Sequence, residues 1–144
     1  MAVSFIENID DFILTDKSIL QRWLSQIIQE DGKRVGKIVY LFSNDEYVHA
    51  VNKHYLRHDT YTDIITFDYV EGDLISGDIL ISIDRVKENA RKFCSTFSDE
   101  LHRVIVHGVL HLLGQGDKSK QELLEMRKKE NSALAKLQEI TEKK

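Results

Sequence analysis

One run, Val104-Ile105-Val106-His107-Gly108-Val109-Leu110-His111-Leu112-Leu113, constrains this chain more than any other segment. Wound as a helix it is apolar nearly all round, so it must be mostly buried. Two histidines interrupt it, and buried histidines need partners. Four residues apart, they share one helix face, with Cβ atoms about 5–6 Å from each other. That spacing lets both imidazoles reach one ion at about 2.0–2.1 Å. Gly114 suits the left-handed turn that ends a helix, and Asp117 follows three residues later. His107, His111 and Asp117 are therefore candidate metal ligands. Three protein ligands leave a fourth position open, the arrangement of a catalytic zinc rather than a structural one. The competing reading is a pair of core histidines satisfied by protein partners.

The residue after the first histidine narrows the chemistry. Zinc proteases of the His-Glu-x-x-His type place their general base there. This chain has Gly108, which supplies no acid or base and costs a helix interior about 1 kcal/mol relative to alanine. The ligand set is thus metzincin-like while the proton-transfer group of those proteases is missing. A peptide-cleaving mechanism would need a base from elsewhere.

The 144 residues fit one domain, 1–144, able to bury a sizeable core without disulfides. No stretch approaches the roughly 20 apolar residues of a membrane span. The first residues lack the basic segment and apolar core of a secretory signal. The single cysteine, Cys94, reads as a reduced core or half-buried thiol. Together these predict a cytoplasmic protein. The formal charge of -4 argues against tight, non-specific RNA or DNA binding, so a polyanion would need a local basic patch. Groups such as Lys33, Arg34 and Lys37, or Arg85, Lys87, Arg91 and Lys92, read equally as solvated surface.

Periodicity predicts an α+β fold, a small mixed β-sheet packed with helices, with the histidine-bearing helix at its centre. A short strand at Val3–Ile6 precedes an amphipathic helix over roughly 16–30, capped by Thr15 or Asp16 and stopped by Gly32. Trp23 lies in that helix's apolar stripe and reads as core. Lys37–Ser43 is a buried strand. A capping box from Ser43 to Glu46 opens a helix to about Tyr55, with Tyr47, Val48, Val51 and Tyr55 as its apolar face. Thr62–Val70 and Gly77–Ile83 form a hairpin around Glu71-Gly72-Asp73. A charged helix over 84–93 leads to the central helix, begun by Thr96 or Ser98. Ser119 to Glu122 is a second capping box, opening a last helix that buries Leu123, Met126, Leu134 and Leu137. The tail from Thr141 to Lys144 reads as frayed.

Three segments together resemble the YbeY family of bacterial rRNA-maturation endoribonucleases. Asn52-Lys53-His54-Tyr55 through Asp59-Thr60-Tyr61-Thr62-Asp63-Ile64-Ile65-Thr66-Phe67 is similar to its Asn-x-x-Tyr…Thr-Asp-Val-Leu-Ser-Phe stretch. Gly77-Asp78-Ile79 is similar to its Gly-Asp-Ile strand, and His107–Gly114 to its metal motif, glycine included. Order and spacing agree over roughly residues 40–130. The resemblance implies a zinc-dependent, single-strand-specific endoribonuclease with one Zn2+ per chain. It implies work on small-subunit rRNA 3′ ends and in ribosome quality control, with rRNA and the ribosome or its proteins as partners, and neither membrane nor DNA.

Three departures stand out. Asp117 occupies the place of the family's third histidine, which lowers the charge of the site by one unit. Leu56 replaces the family's arginine, leaving Arg57, one place later, as a candidate catalytic and phosphate-contacting residue beside a surface reading. Tyr61 replaces a proline, which predicts a less constrained loop. His58, on the same loop, is a candidate substrate contact or proton shuttle. Two rival functions stay open: a zinc-dependent peptidase or other hydrolase, and a non-enzymatic ribosome assembly factor with a structural metal.

Overall fold

The computed structural model describes residues 2–142. Four strands form one sheet in the order β1 (Val3–Glu7), β2 (Arg34–Ser43), β4 (Leu74–Ser82), β3 (Ile64–Asp68). The first two pairings are parallel, and β3 returns antiparallel on β4. The expected hairpin is therefore present, and the sheet is mixed.

Strand alternation divides the core between the two faces. Ile38, Tyr40 and Phe42 of β2, with Ile79 and Ile81 of β4, are buried on one face. They pack with α1 (Lys17–Glu30), α4 (Phe97–Leu112) and α5 (Lys120–Glu142) in the main hydrophobic cluster. Leu80 and Ile65 point the other way and meet Val48 of α2 (Asp45–Tyr55) in a smaller cluster. Helix α3 (Ile83–Lys92) joins β4 to α4. Trp23 is fully buried, as expected, and its indole N–H donates to the carbonyl of Ala133 at 2.8 Å, tying α1 to α5.

Several local expectations are corrected. Asn44, not Ser43, caps α2, accepting the Tyr47 amide at 2.8 Å. Tyr47 and Tyr55 share the α2 apolar face with Val51 as expected, lining a groove with Leu41, Phe67 and Leu80, but both stay exposed. Leu123 is also exposed, while Met126 and Leu137 are buried as expected. Cys94 is exposed, carried outward by a left-handed turn with φ 55° after α3. Helix α5 continues through Thr141 and Glu142, and Lys143 and Lys144 lie outside the described residues. No helix among the described residues is long and apolar enough to cross a membrane.

Candidate metal centre

The central helix is fixed on the sheet before any polar chemistry enters. Tyr40, buried on β2, donates its hydroxyl to the carbonyl of Ile105 at 2.6 Å. Thr96 caps the helix by accepting the Asp99 amide at 3.1 Å. At Gly108 the helix lies so close to β3 and β4 that an added Cβ would stand 2.9 Å from Ile79 and 3.2 Å from Ile64. The missing protease glutamate thus has a steric reason: a side chain here would point into the packed sheet.

Beyond α4 the chain reverses. Gly114 has φ 99°, a conformation that favours glycine. Its amide donates to the carbonyl of His111 and that of Gln115 to Leu110, closing the helix end. The capping box of α5 then forms as expected, Ser119 Oγ accepting the Glu122 amide and Glu122 Oε1 accepting the Ser119 amide, each at 3.1 Å. The Glu122 carboxylate fills the space beside Gly116, so the loop carrying Asp117 is held from both ends.

This reversal brings the three candidate ligands together. Asp117 Oδ2 lies 3.3 Å from His107 Nε2 and 3.2 Å from His111 Nε2. All three atoms lie within 4.8 Å of one another. Ligands at about 2.0–2.2 Å on the corners of a tetrahedron stand about 3.3–3.6 Å apart, so the donor set suits a zinc-sized ion in type and spacing. The imidazole rings are nearly perpendicular, at 85° with centroids 4.5 Å apart.

Behind the triad sits a residue the sequence reading missed. Glu130, on α5 and only 5% exposed, has Oε2 2.6 Å from His107 Nδ1. Its other oxygen accepts Arg103 Nη1 at 3.0 Å, and Arg103 Nη2 also donates to Asn131 Oδ1 at 2.9 Å. Burial works against ionising either partner. For His107 the hydrogen bond and charge of Glu130, helped by Asp117 and Asp63, outweigh burial and raise the imidazole above its ordinary range. For Glu130 the His107 and Arg103 hydrogen bonds outweigh burial and hold the carboxyl below its ordinary range. With Nδ1–H donated to Glu130, His107 presents Nε2 to the triad. A signal was available: Met126, Glu130, Ala133 and Leu137 share one buried face of α5, so this glutamate falls on an apolar stripe.

The triad opens into a cleft of about 820 Å³ between the β3 side of the sheet and the α4–α5 pair. Arg103, Arg127 and Lys118 line it beside four carboxylates, Asp63, Glu100, Asp117 and Glu130, so its charge is mixed, and Arg103 and Arg127 both lie against Glu130. His58 lines it, from an exposed loop. Arg57 is not among its lining residues. The chain turns at Arg57 with φ 59°, the His58 amide bonding to Asn52, and this carries Leu56 and His58 to the cleft. Nor is the loop slack at Tyr61. Its ring stacks on His49 at 4.1 Å, Arg85 lies 5.5 Å above it, and Asp59 bonds His49 at 2.8 Å.

Known proteins are similar over most of the chain. The family model described as Endoribonuclease YbeY matches residues 5–138. An Endoribonuclease YbeY of Porphyromonas gingivalis is 50% identical over 123 residues, 85% of this chain and 82% of the relative. One from Parabacteroides distasonis is 45% identical over 139 residues, 96% of this chain and 98% of the relative. A solution structure from Thermotoga maritima shares the fold, with a TM-score of 0.65 and 23% identity over 95% of this chain and 92% of that one. A match across nearly the whole sequence, with relatives of similar length at about half identity, places this chain in the YbeY endoribonuclease family.

Proposed function

We propose that this chain, acting as one domain in the cytoplasm, is a zinc-dependent endoribonuclease that cuts single-stranded RNA during maturation of the small-subunit rRNA 3′ end. The proposal extends to ribosome quality control, with the ribosome or its proteins as partners. The observation that carries it is the juxtaposition of His107, His111 and Asp117 with three basic side chains in one cleft, in a chain whose relatives are named endoribonucleases.

His107, His111 and Asp117 would hold the metal. Bound zinc supplies Lewis-acid polarisation of a phosphoryl oxygen and activation of water. The rest falls to the chain's own groups. Glu130 keeps the His107 ring in one orientation and one tautomer, and Arg103 keeps Glu130 in place. Arg103, Arg127 and Lys118 attract the phosphate backbone and offset charge that builds on it. They take the role the sequence reading gave to Arg57, which is left as an outer contact. His58 reaches substrate from the opposite wall of the cleft. Gly108 and the sheet behind it leave no room for a protease-type glutamate, which disfavours the peptidase reading.

The test offers zinc-loaded protein single-stranded RNA, the same RNA as a duplex, and casein. Cleavage of the single strand alone is the expected result. Casein cleavage abolished by His111→Ala would turn the reading to a peptidase.

A further inference from the structure

Two features of the cleft are not used by the metal centre. Glu100, in the first turn of α4, is only 7% exposed yet lines the cleft. Among the described residues its carboxylate has no hydrogen-bond or ion-pair partner; Arg103 acts on it only through charge at longer range. Its oxygens are not among the buried unpartnered atoms of the described residues, so the small exposed part of Glu100 includes the carboxylate, open to the cleft. Favourable placement near a helix N-terminus accounts for its charge but not for the absence of any donor. Burial pushes this carboxyl above its ordinary range.

The second feature is Phe93, which ends α3. It is 58% exposed and lines the same cleft, with Lys92 Nζ 5.7 Å from its ring centre. A large exposed aromatic beside a cation is a platform on which an unstacked base can lie. A duplex, whose bases are already stacked, could not use it. Seven residues of α4 separate Glu100 from His107, a rise of about 10 Å. Glu100 therefore lies about two helical turns from His107, outside the triad.

We propose that Phe93 and Glu100 form a nucleobase subsite that takes a base of the single strand away from the scissile bond, stacked on Phe93 and read at its edge by Glu100. The inference rests on the ribonuclease reading above. A carboxyl acceptor accepts from the exocyclic amino groups of adenine, cytosine and guanine. Uracil offers carbonyl oxygens on both sides of its N–H and is disfavoured. The subsite thus selects an amino-bearing base over uracil, and Phe93 contributes affinity without selectivity.

Binding of labelled 2′-O-methyl hexamers of adenosine, cytidine and uridine to the zinc-loaded full chain separates these roles. Fluorescence anisotropy is the readout, with hexamer integrity checked on a gel. The uridine hexamer is expected to bind roughly tenfold more weakly than the other two. Glu100→Ala should bring the adenosine and cytidine hexamers to the uridine level and leave uridine binding unchanged. Phe93→Ala should weaken all three by a similar factor, and Phe93→Tyr should restore them. Equal binding of all three by the wild type overturns the subsite, as does a preference that survives Glu100→Ala. So does a Glu100→Ala variant with a lower melting temperature and equal losses on all three, which would mark Glu100 as structural. If the wild type binds no hexamer, the ribonuclease reading fails along with the subsite.

Discussion

His107 Nδ1 and Glu130 Oε2 lie 2.6 Å apart, across the contact of two helices that the sequence separates by a turn and a capping box. The pair orients a candidate metal ligand through its far nitrogen. Glu130→Gln keeps the shape of the residue but removes its charge. Zinc affinity is expected to fall about 10–100-fold, read by competition with a chelator. An unchanged affinity would show that Glu130 serves only the fold.

The close approach at Gly108 makes a second prediction. Gly108→Glu restores the protease motif in sequence but drives a carboxylate toward Ile79 and Ile64. Overpacking alone costs about 1–3 kcal/mol, and burying an unpaired charge adds to it. Denaturant unfolding should show a loss of at least that size. A variant of wild-type stability would contradict the steric account of the missing glutamate.

Tyr61 should hold the rim loop of the cleft. Tyr61→Ala removes its stack on His49 and its contact with Arg85. Interactions of these kinds contribute about 0.5–1.5 and about 0.5–1 kcal/mol. The variant should lose about 1–2 kcal/mol, and limited proteolysis should cut faster between residues 56 and 63. Equal cleavage rates would mean the loop is held by other contacts.

Glu7 gives a pH-dependent prediction away from the site. The Lys17 hydrogen bond, then the Leu14 amide, hold its carboxyl below the ordinary range, against a small effect of burial. A lowered folded-state pKa means stabilisation present above the unfolded value and lost as pH falls through the folded one. Glu7→Gln should therefore lower the melting temperature near neutral pH, and the gap from wild type should close in strong acid. A gap that persists in acid would show that packing, not charge, sets the effect.

How much of this was legible in the sequence follows from the range of each signal. Local signals read well. The histidine spacing, the Gly114 turn and the Ser119–Glu122 box each act within a few residues, and each formed as expected. Apolar periodicity, capping boxes and a charged run placed the helices, and β-branched composition around a turn placed the hairpin. What was missed depends on distant partners. Glu130 falls on the apolar stripe of α5 inside a charged stretch, and its partners His107 and Arg103 lie on α4, out of reach of a local signal. Arg57 is adjacent to the place of the family's arginine, but one residue of shift across a left-handed turn moves it off the cleft wall. Tyr61 replaced a stiff residue with a flexible one, yet stacking from α2 supplies the constraint.

The most direct test of the metal centre as the seat of catalysis pairs the zinc-loaded protein with an equally pure, folded Asp117→Ala variant. Both are incubated with single-stranded RNA spanning the small-subunit rRNA 3′ end. Cleavage by the wild type alone is the expected result. Equal cleavage by both would contradict Asp117 as a working ligand, and no cleavage by either would favour an assembly factor over a nuclease.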